Sequence, residues 1–193
     1  VDMNMLDKLE IIVVNDGTPD NSVSVAQRFV DWYPGTFKII NKENGGHGSA
    51  INTGVEHVSG KYFKVVDADD WVDTLALKHF ITSLEHTEAD AIIQSFRYYD
   101  ISKKEYRPAD INVPDFNREY GLSDVVNMWD DVYDGLSFHG VAYNTKFYKS
   151  LNYSLAEHVF YEDQEYATVP FSFAETIRFI EEELYVYRVG DVN

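Results

Sequence analysis

The chain has 193 residues, enough for one domain with a proper buried core, and its 45% hydrophobic and 15% aromatic content excludes intrinsic disorder. Sixteen basic residues against 33 acidic ones give a net charge of −17, which argues against a nucleic-acid backbone or an anionic membrane surface as partner. There is no cysteine, which rules out disulfides and thiolate metal sites, and no apolar stretch approaches the roughly 20 residues of a membrane span.

The β-branched run Leu9–Val14 predicts a strand buried on both faces. Asn15-Asp16-Gly17-Thr18-Pro19 follows as a turn. A carboxylate there either accepts hydrogen bonds from a base or ribose, or serves the turn and the next helix as a cap. Val25, Phe29, Val30 and Tyr33 recur at helical spacing over residues 22–33, and Phe37–Ile40 reads as a second strand. The loop Asn41–Gly48 holds Gly45, Gly46 and Gly48 ahead of a helix predicted over Ala50–Val58. Glycines in that place let backbone amides approach phosphates. A dinucleotide fingerprint fails because Ile51 stands where the last glycine belongs, and no Gly-Lys-Ser/Thr of a P-loop follows.

A strand predicted over Tyr62–Val66 ends in Asp67, Asp69 and Asp70, three carboxylates in four positions. Carboxylates so crowded repel unless a cation or proton intervenes, and a hard divalent ion shared with substrate phosphates is the economical answer. The other reading makes the Asp-Asp pair the N-cap of a helix over Thr74–Leu84. An EF-hand is excluded, since its glycine and glutamate positions fall on Val72 and Lys78. Ala91–Phe96 is a fourth strand, so strands alternating with helices predict a mostly parallel α/β sheet.

Beyond Tyr98 the alternation fades. Residues 100–117 read as a loop or hairpin, 123–133 as a helix, and 141–151 as a segment opening at an Asn/Thr cap. Glu162–Val169 reads as a further helix, and Glu183–Arg188 as a late strand. Glu162 and Asp163 either hold a general base or are the acidic first turn that a helix dipole favours. The six histidines show no zinc-type spacing, and His139 is the one expected to face a pocket.

Taken in order, LEIIVVNDGTPDNS (9–22), KENGGHGSAINTGVEHVSGKYFKVVDADDWVD (42–73) and YEDQEY (161–166) resemble a family-2 glycosyltransferase of the GT-A fold. The resemblance implies a single domain, with a nucleotide-binding half over 1–98 and an acceptor-binding half over 99–193. Asp67-Ala68-Asp69 is then its DXD motif. It also implies roles: Asp16 bonds the base, Asp67 lies near the sugar or ribose, Gly46 helps cradle the nucleotide-sugar, and Asp69 ligands Mg²⁺ or Mn²⁺. Asp163 resembles the general base, with Glu162 and His139 as acceptor-side candidates.

The implied reaction is inverting, metal-dependent transfer of one sugar from a nucleotide-diphospho-sugar to a hydroxyl acceptor. That acceptor is a sugar, a lipid-linked sugar or a protein, in polysaccharide or glycolipid synthesis. The implied place is the cytoplasm or the inner face of a membrane. Family members begin with a strand and helix ahead of the strand at Leu9–Val14, and only eight residues precede it here, so that first strand is expected to be missing. Asn15 replaces the usual first aspartate. Gln94-Ser95-Phe96-Arg97-Tyr98 imitates a processive-enzyme motif but precedes Asp163 and lies in a predicted strand. A non-processive enzyme is expected. The alternative from another class is a non-catalytic nucleotide- or glycan-binding module on the same fold. A nucleotidyltransferase is disfavoured by the lack of a basic glycine-rich loop near the start.

Overall fold

The computed structural model describes residues 3–109 and 111–190. Strand β1 (Ile11–Asn15), helix α1 (Ser22–Trp32) and strand β2 (Phe37–Asn41) form the first unit, with β1 and β2 in parallel register. Helix α1 buries no residue fully; it lies on β2 through Phe29, whose ring stacks 5.5 Å from that of Phe37. Among the described residues β2 is the only strand partner of β1, and β1 is half-buried rather than enclosed on both faces.

Glu10, just ahead of β1, ties this unit to the next turn. Its Oε1 accepts from Lys38 Nζ at 2.7 Å, and its Oε2 accepts from the amides of Ser59 at 2.7 Å and Gly60 at 3.3 Å. Burial acts to raise its pKa, but the bonds from Lys38 and Ser59 outweigh it and hold the carboxyl at about 2. A depressed carboxylate contributes stability above its unfolded pKa, near 4.5, that is lost as pH falls towards about 2. Glu10→Gln should therefore melt lower than the parent at pH 7. The gap should narrow below pH 4.5 and close near pH 2, as followed by thermal unfolding across pH.

Helix α2 (His47–His57) opens earlier than the pattern predicts, because Gly46 takes φ +85° and lets the chain turn directly into it. Strand β3 pairs only over Tyr62–Phe63. Its ladder stops where Lys64 Nζ instead donates to the carbonyls of His139 at 2.6 Å and Val141 at 3.2 Å. The chain then turns through the aspartates into β4 (Trp71–Val72) and α3 (Thr74–Glu85). The cap of α3 is Asp73, which accepts from the amides of Leu75 and Ala76, so the Asp69-Asp70 pair is not the cap.

Strands β5 (Ala91–Asp100) and β6 (Glu105–Pro108) form a hairpin. After β7 (Glu119–Tyr120), the helix predicted over 123–133 is broken at Met128 into α4 (Leu122–Asn127) and α5 (Trp129–Val132). The segment 141–151 divides into β8 (Val141–Asn144) and α6 (Thr145–Ser150), with Asn144 capping α6. Helix α7 (Glu162–Thr168) and the long β9 (Ile177–Val189) complete the chain.

The larger sheet has seven strands in the order β3-β8-β5-β9-β4, with β6 on β5 and β7 on β9. It is mixed rather than mostly parallel. Among the described residues only β5 and β9 pair in parallel there, and the other pairings are antiparallel. Parallel pairing needs a long crossover, and within this sheet the chain from β5 to β9 supplies it. The largest core cluster is aromatic: Tyr143, Tyr148, Tyr166, Phe138 and Phe179 are buried between the sheet, α2 and α7. Tyr143 donates its hydroxyl proton to the carbonyl of Tyr166 at 2.8 Å, which fixes α7 against β8.

Candidate active site

At the end of β1, Asp16 is fully engaged. Its Oδ1 accepts from Lys42 Nζ at 2.6 Å and Gly45 N at 2.9 Å, and its Oδ2 accepts from Gly46 N at 2.9 Å. Burial would raise its pKa, but Lys42 and the two amides prevail and hold the carboxyl below the usual range. Asp16 thus shapes the glycine turn, and the turn delivers His47 between Asp67 and Glu162.

His47 bridges two carboxylates from distant parts of the chain. Its Nδ1 lies 2.9 Å from Glu162 Oε1 and its Nε2 lies 3.1 Å from Asp67 Oδ1. A neutral imidazole has one N–H, so bonding both acceptors requires the imidazolium. Asp67 foremost, and then Glu162, raise its pKa against the opposing effect of burial. The helix that carries Glu162 is packed closely here. A Cβ on Gly48 would stand 2.2 Å from the carbonyl oxygen of Ala156 and 3.4 Å from Glu162 Cγ. Gly48→Ala gains about 1 kcal/mol in helix propensity. A clash with backbone costs about 1–3 kcal/mol or more. The expected net result is a lower Tm in thermal unfolding, with Gly54→Ala as a control, because its Cβ meets only Val14 at 3.6 Å.

Beyond β3, Asp67, Asp70 and His139 each offer one ligand atom, all within 4.8 Å of one another and all partly buried. Tyr185 braces this group: its hydroxyl donates to Asp70 Oδ2 at 2.6 Å and accepts from Asp67 N at 3.2 Å. Arg188 N donates to Asp70 Oδ1 at 2.7 Å. Burial raises the pKa of Asp70, with Asp69 and Asp67 adding to the rise against these two donors. His139 stacks on Tyr187 with ring centroids 3.9 Å apart. Burial and nearby Lys64 lower its pKa to about 4, so its imidazole is neutral at pH 7 and able to ligand. Lys64 is partly buried, and desolvation lowers its pKa to about 7 against the pull of Asp67. Two carboxylates and an imidazole fit a divalent first-row ion such as Mn²⁺ better than Mg²⁺, which prefers oxygen ligands.

Asp69 stands apart from that group. Its carboxylate is 66% exposed and lies 3.7 Å from Arg188 Nη2. Asp163, in the first turn of α7, is partly buried and close enough to His139 for its charge to favour the imidazolium. Glu162 is 9% exposed and turned onto His47, away from solvent. Asp16, Gly46, Asp67, Glu162, Asp163 and His139 are thus brought into one neighbourhood, linked through the glycine turn and His47. His47, Lys64 and Tyr185 were not legible as site residues in the sequence. Lys64 alone left a trace, as the single charge inside an apolar strand pattern.

A model of glycosyl transferase family 2 matches residues 3–160. The uncharacterized glycosyltransferase EpsJ of Bacillus subtilis is 27% identical over 187 residues, covering 95% of this chain and 53% of EpsJ. Glycosyltransferase GlyA of Streptococcus pneumoniae is 23% identical over 189 residues, covering 94% of this chain and 26% of GlyA. Among solved structures, S. aureus TarS 1–349 in complex with UDP-GlcNAc matches with a TM-score of 0.71 at 19% identity, over 98% of this chain and 54% of that one. The chain spans about half the length of EpsJ and of that TarS structure. No helix among the described residues is long and apolar enough to cross a membrane.

Proposed function

The chain belongs to glycosyl transferase family 2 and has the GT-A fold, and from that premise we propose that it moves one sugar from a nucleotide-diphospho-sugar to a hydroxyl acceptor, with inversion, in polysaccharide or glycolipid synthesis. The observation that carries the reading is the convergence of the Asp67–Asp70–His139 group with the Asp163-bearing end of α7. One side suits a diphosphate and the other a reacting hydroxyl. The donor class is supported by TarS, whose structure was solved in complex with UDP-GlcNAc.

In this reading the glycine turn, held by Asp16, lines the nucleotide side, and Asp67 stands near the ribose or sugar. Asp67, Asp70 and His139 would hold a divalent cation, Mn²⁺ in preference to Mg²⁺, which as a Lewis acid offsets charge on the departing diphosphate. Asp69 then contributes from the exposed rim. Asp163 takes the proton of the acceptor hydroxyl. The acceptor oxygen bonds to the anomeric carbon as the bond from that carbon to the phosphate oxygen breaks, and the electron pair leaves with the nucleoside diphosphate. One displacement inverts the centre and needs no protein nucleophile.

The test is an assay of nucleoside diphosphate release from a panel of nucleotide-sugars, UDP-GlcNAc first, with Mn²⁺ and mixed glycan acceptors. The product's anomeric configuration is read by NMR. Release with an inverted product is expected. A retained configuration, or no release across the panel, contradicts the proposal.

A further inference from the structure

Glu162 is buried, yet it belongs neither to the ligand group nor to the acceptor face. Its carboxylate touches His47 through Oε1, and its Oε2 is buried with no hydrogen-bond partner among the described residues. A buried carboxylate is costly unless paired, so one committed to a single imidazole has the geometry of a clamp. That imidazole holds Asp67 Oδ1 at 3.1 Å. Asp67 is one of three aspartates within four positions, and such a cluster tends to splay by mutual repulsion. Each of the two ligand carboxylates in the group has its own brace, Tyr185 on Asp70 and His47 on Asp67.

Resting on the reading above, we propose that His47, held by Glu162, is a positioning residue that sets the Asp67 carboxylate for donor binding and ties the Asp163-bearing helix to the donor side of the site. Three local features build the link. Asp16 fixes the amides of Gly45 and Gly46 and so places His47 at the first position of α2. The missing side chain at Gly48 lets residues 156–162 close onto α2. His158 N completes the contact by donating to the carbonyl of Gly45 at 3.2 Å. Glu162 and Asp163 are adjacent in one short helix, so a displacement of Glu162 from His47 also displaces Asp163. The structure thereby joins the group that receives the acceptor's proton to the group that holds the donor.

The test uses the whole chain, with UDP plus MnCl₂ as the probe in calorimetry and thermal unfolding measured alongside. His47→Ala should weaken Mn²⁺-dependent UDP binding roughly 10–100-fold, the usual cost of losing an outer partner of a ligand group. Glu162→Gln should weaken it less, and adding it to His47→Ala should cost nothing further, because both act through one link. His47→Gln, which can still bond one of the two carboxylates, should recover part of the affinity. A purely structural role predicts a lower Tm with unchanged affinity of the folded protein, and that result overturns the proposal, as do additive effects of the two substitutions. Parent protein that binds no nucleoside diphosphate overturns the functional reading and the proposal with it. Parent binding with unchanged variants overturns the proposal alone.

Discussion

Asp163→Asn is expected to abolish sugar transfer while leaving donor affinity nearly unchanged. Asp163 lies in the first turn of α7, near enough to His139 to act on its charge, and its neighbour Glu162 is turned away onto His47. Adjacent helical residues do not share a face, so the two acids point to different surroundings. General-base catalysis contributes roughly 10²–10⁴-fold, and turnover should fall by at least that factor. Under the proposed mechanism the partner of this carboxylate is the acceptor hydroxyl and not the diphosphate, so the Kd for UDP with Mn²⁺ should hold. Steady-state kinetics and calorimetry on the same preparation check both halves. Activity equal to the parent's would rule Asp163 out as the base.

The second large effect concerns the ligand group. Asp67→Asn and Asp70→Asn should each weaken Mn²⁺-dependent binding of a nucleoside diphosphate by roughly 100-fold or more, exceeding the 10–100-fold cost of losing an outer partner. Asp69→Asn should cost less, because its side chain is 66% exposed and faces Arg188 rather than His139. Asp70→Asn should not destabilise the apo protein at pH 7. Burial raises the pKa of Asp70, so its charge is disfavoured in the fold, and that penalty is felt as pH rises past its unfolded value. Calorimetric titration of the three variants against the parent decides the order. A larger loss at Asp69 than at Asp70 would return the metal to the DXD aspartate that the motif alone suggests.

The first half of the fold was legible because it obeys local rules. The run Ile11–Val14, the helical spacing of Val25 and Phe29, and the β-branched Ile39-Ile40 each carry their own period. Strand direction was not legible. Whether β8 runs against β5 depends on contacts between residues far apart in sequence, such as Ala91 with Tyr143. The acidic cluster could be found, but its internal assignment could not. Which aspartate caps α3 was decided by the turn into β4, which left the cap to Asp73 and freed Asp70 for Tyr185. His139 was singled out by its sequence neighbourhood. His47 was not, because its two partners lie 20 and 115 residues away.

Thermal unfolding with a panel of nucleoside diphosphates, in Mn²⁺ and again in EDTA, tests most directly whether this site binds the diphosphate of a nucleotide-sugar. Ligand at 100 times its Kd adds about 2.7 kcal/mol, worth roughly 5–10 °C in a chain of this size. A rise of that order is expected for at least one diphosphate, UDP first, present in Mn²⁺ and lost in EDTA. No shift for any member of the panel, with or without the metal, would contradict it.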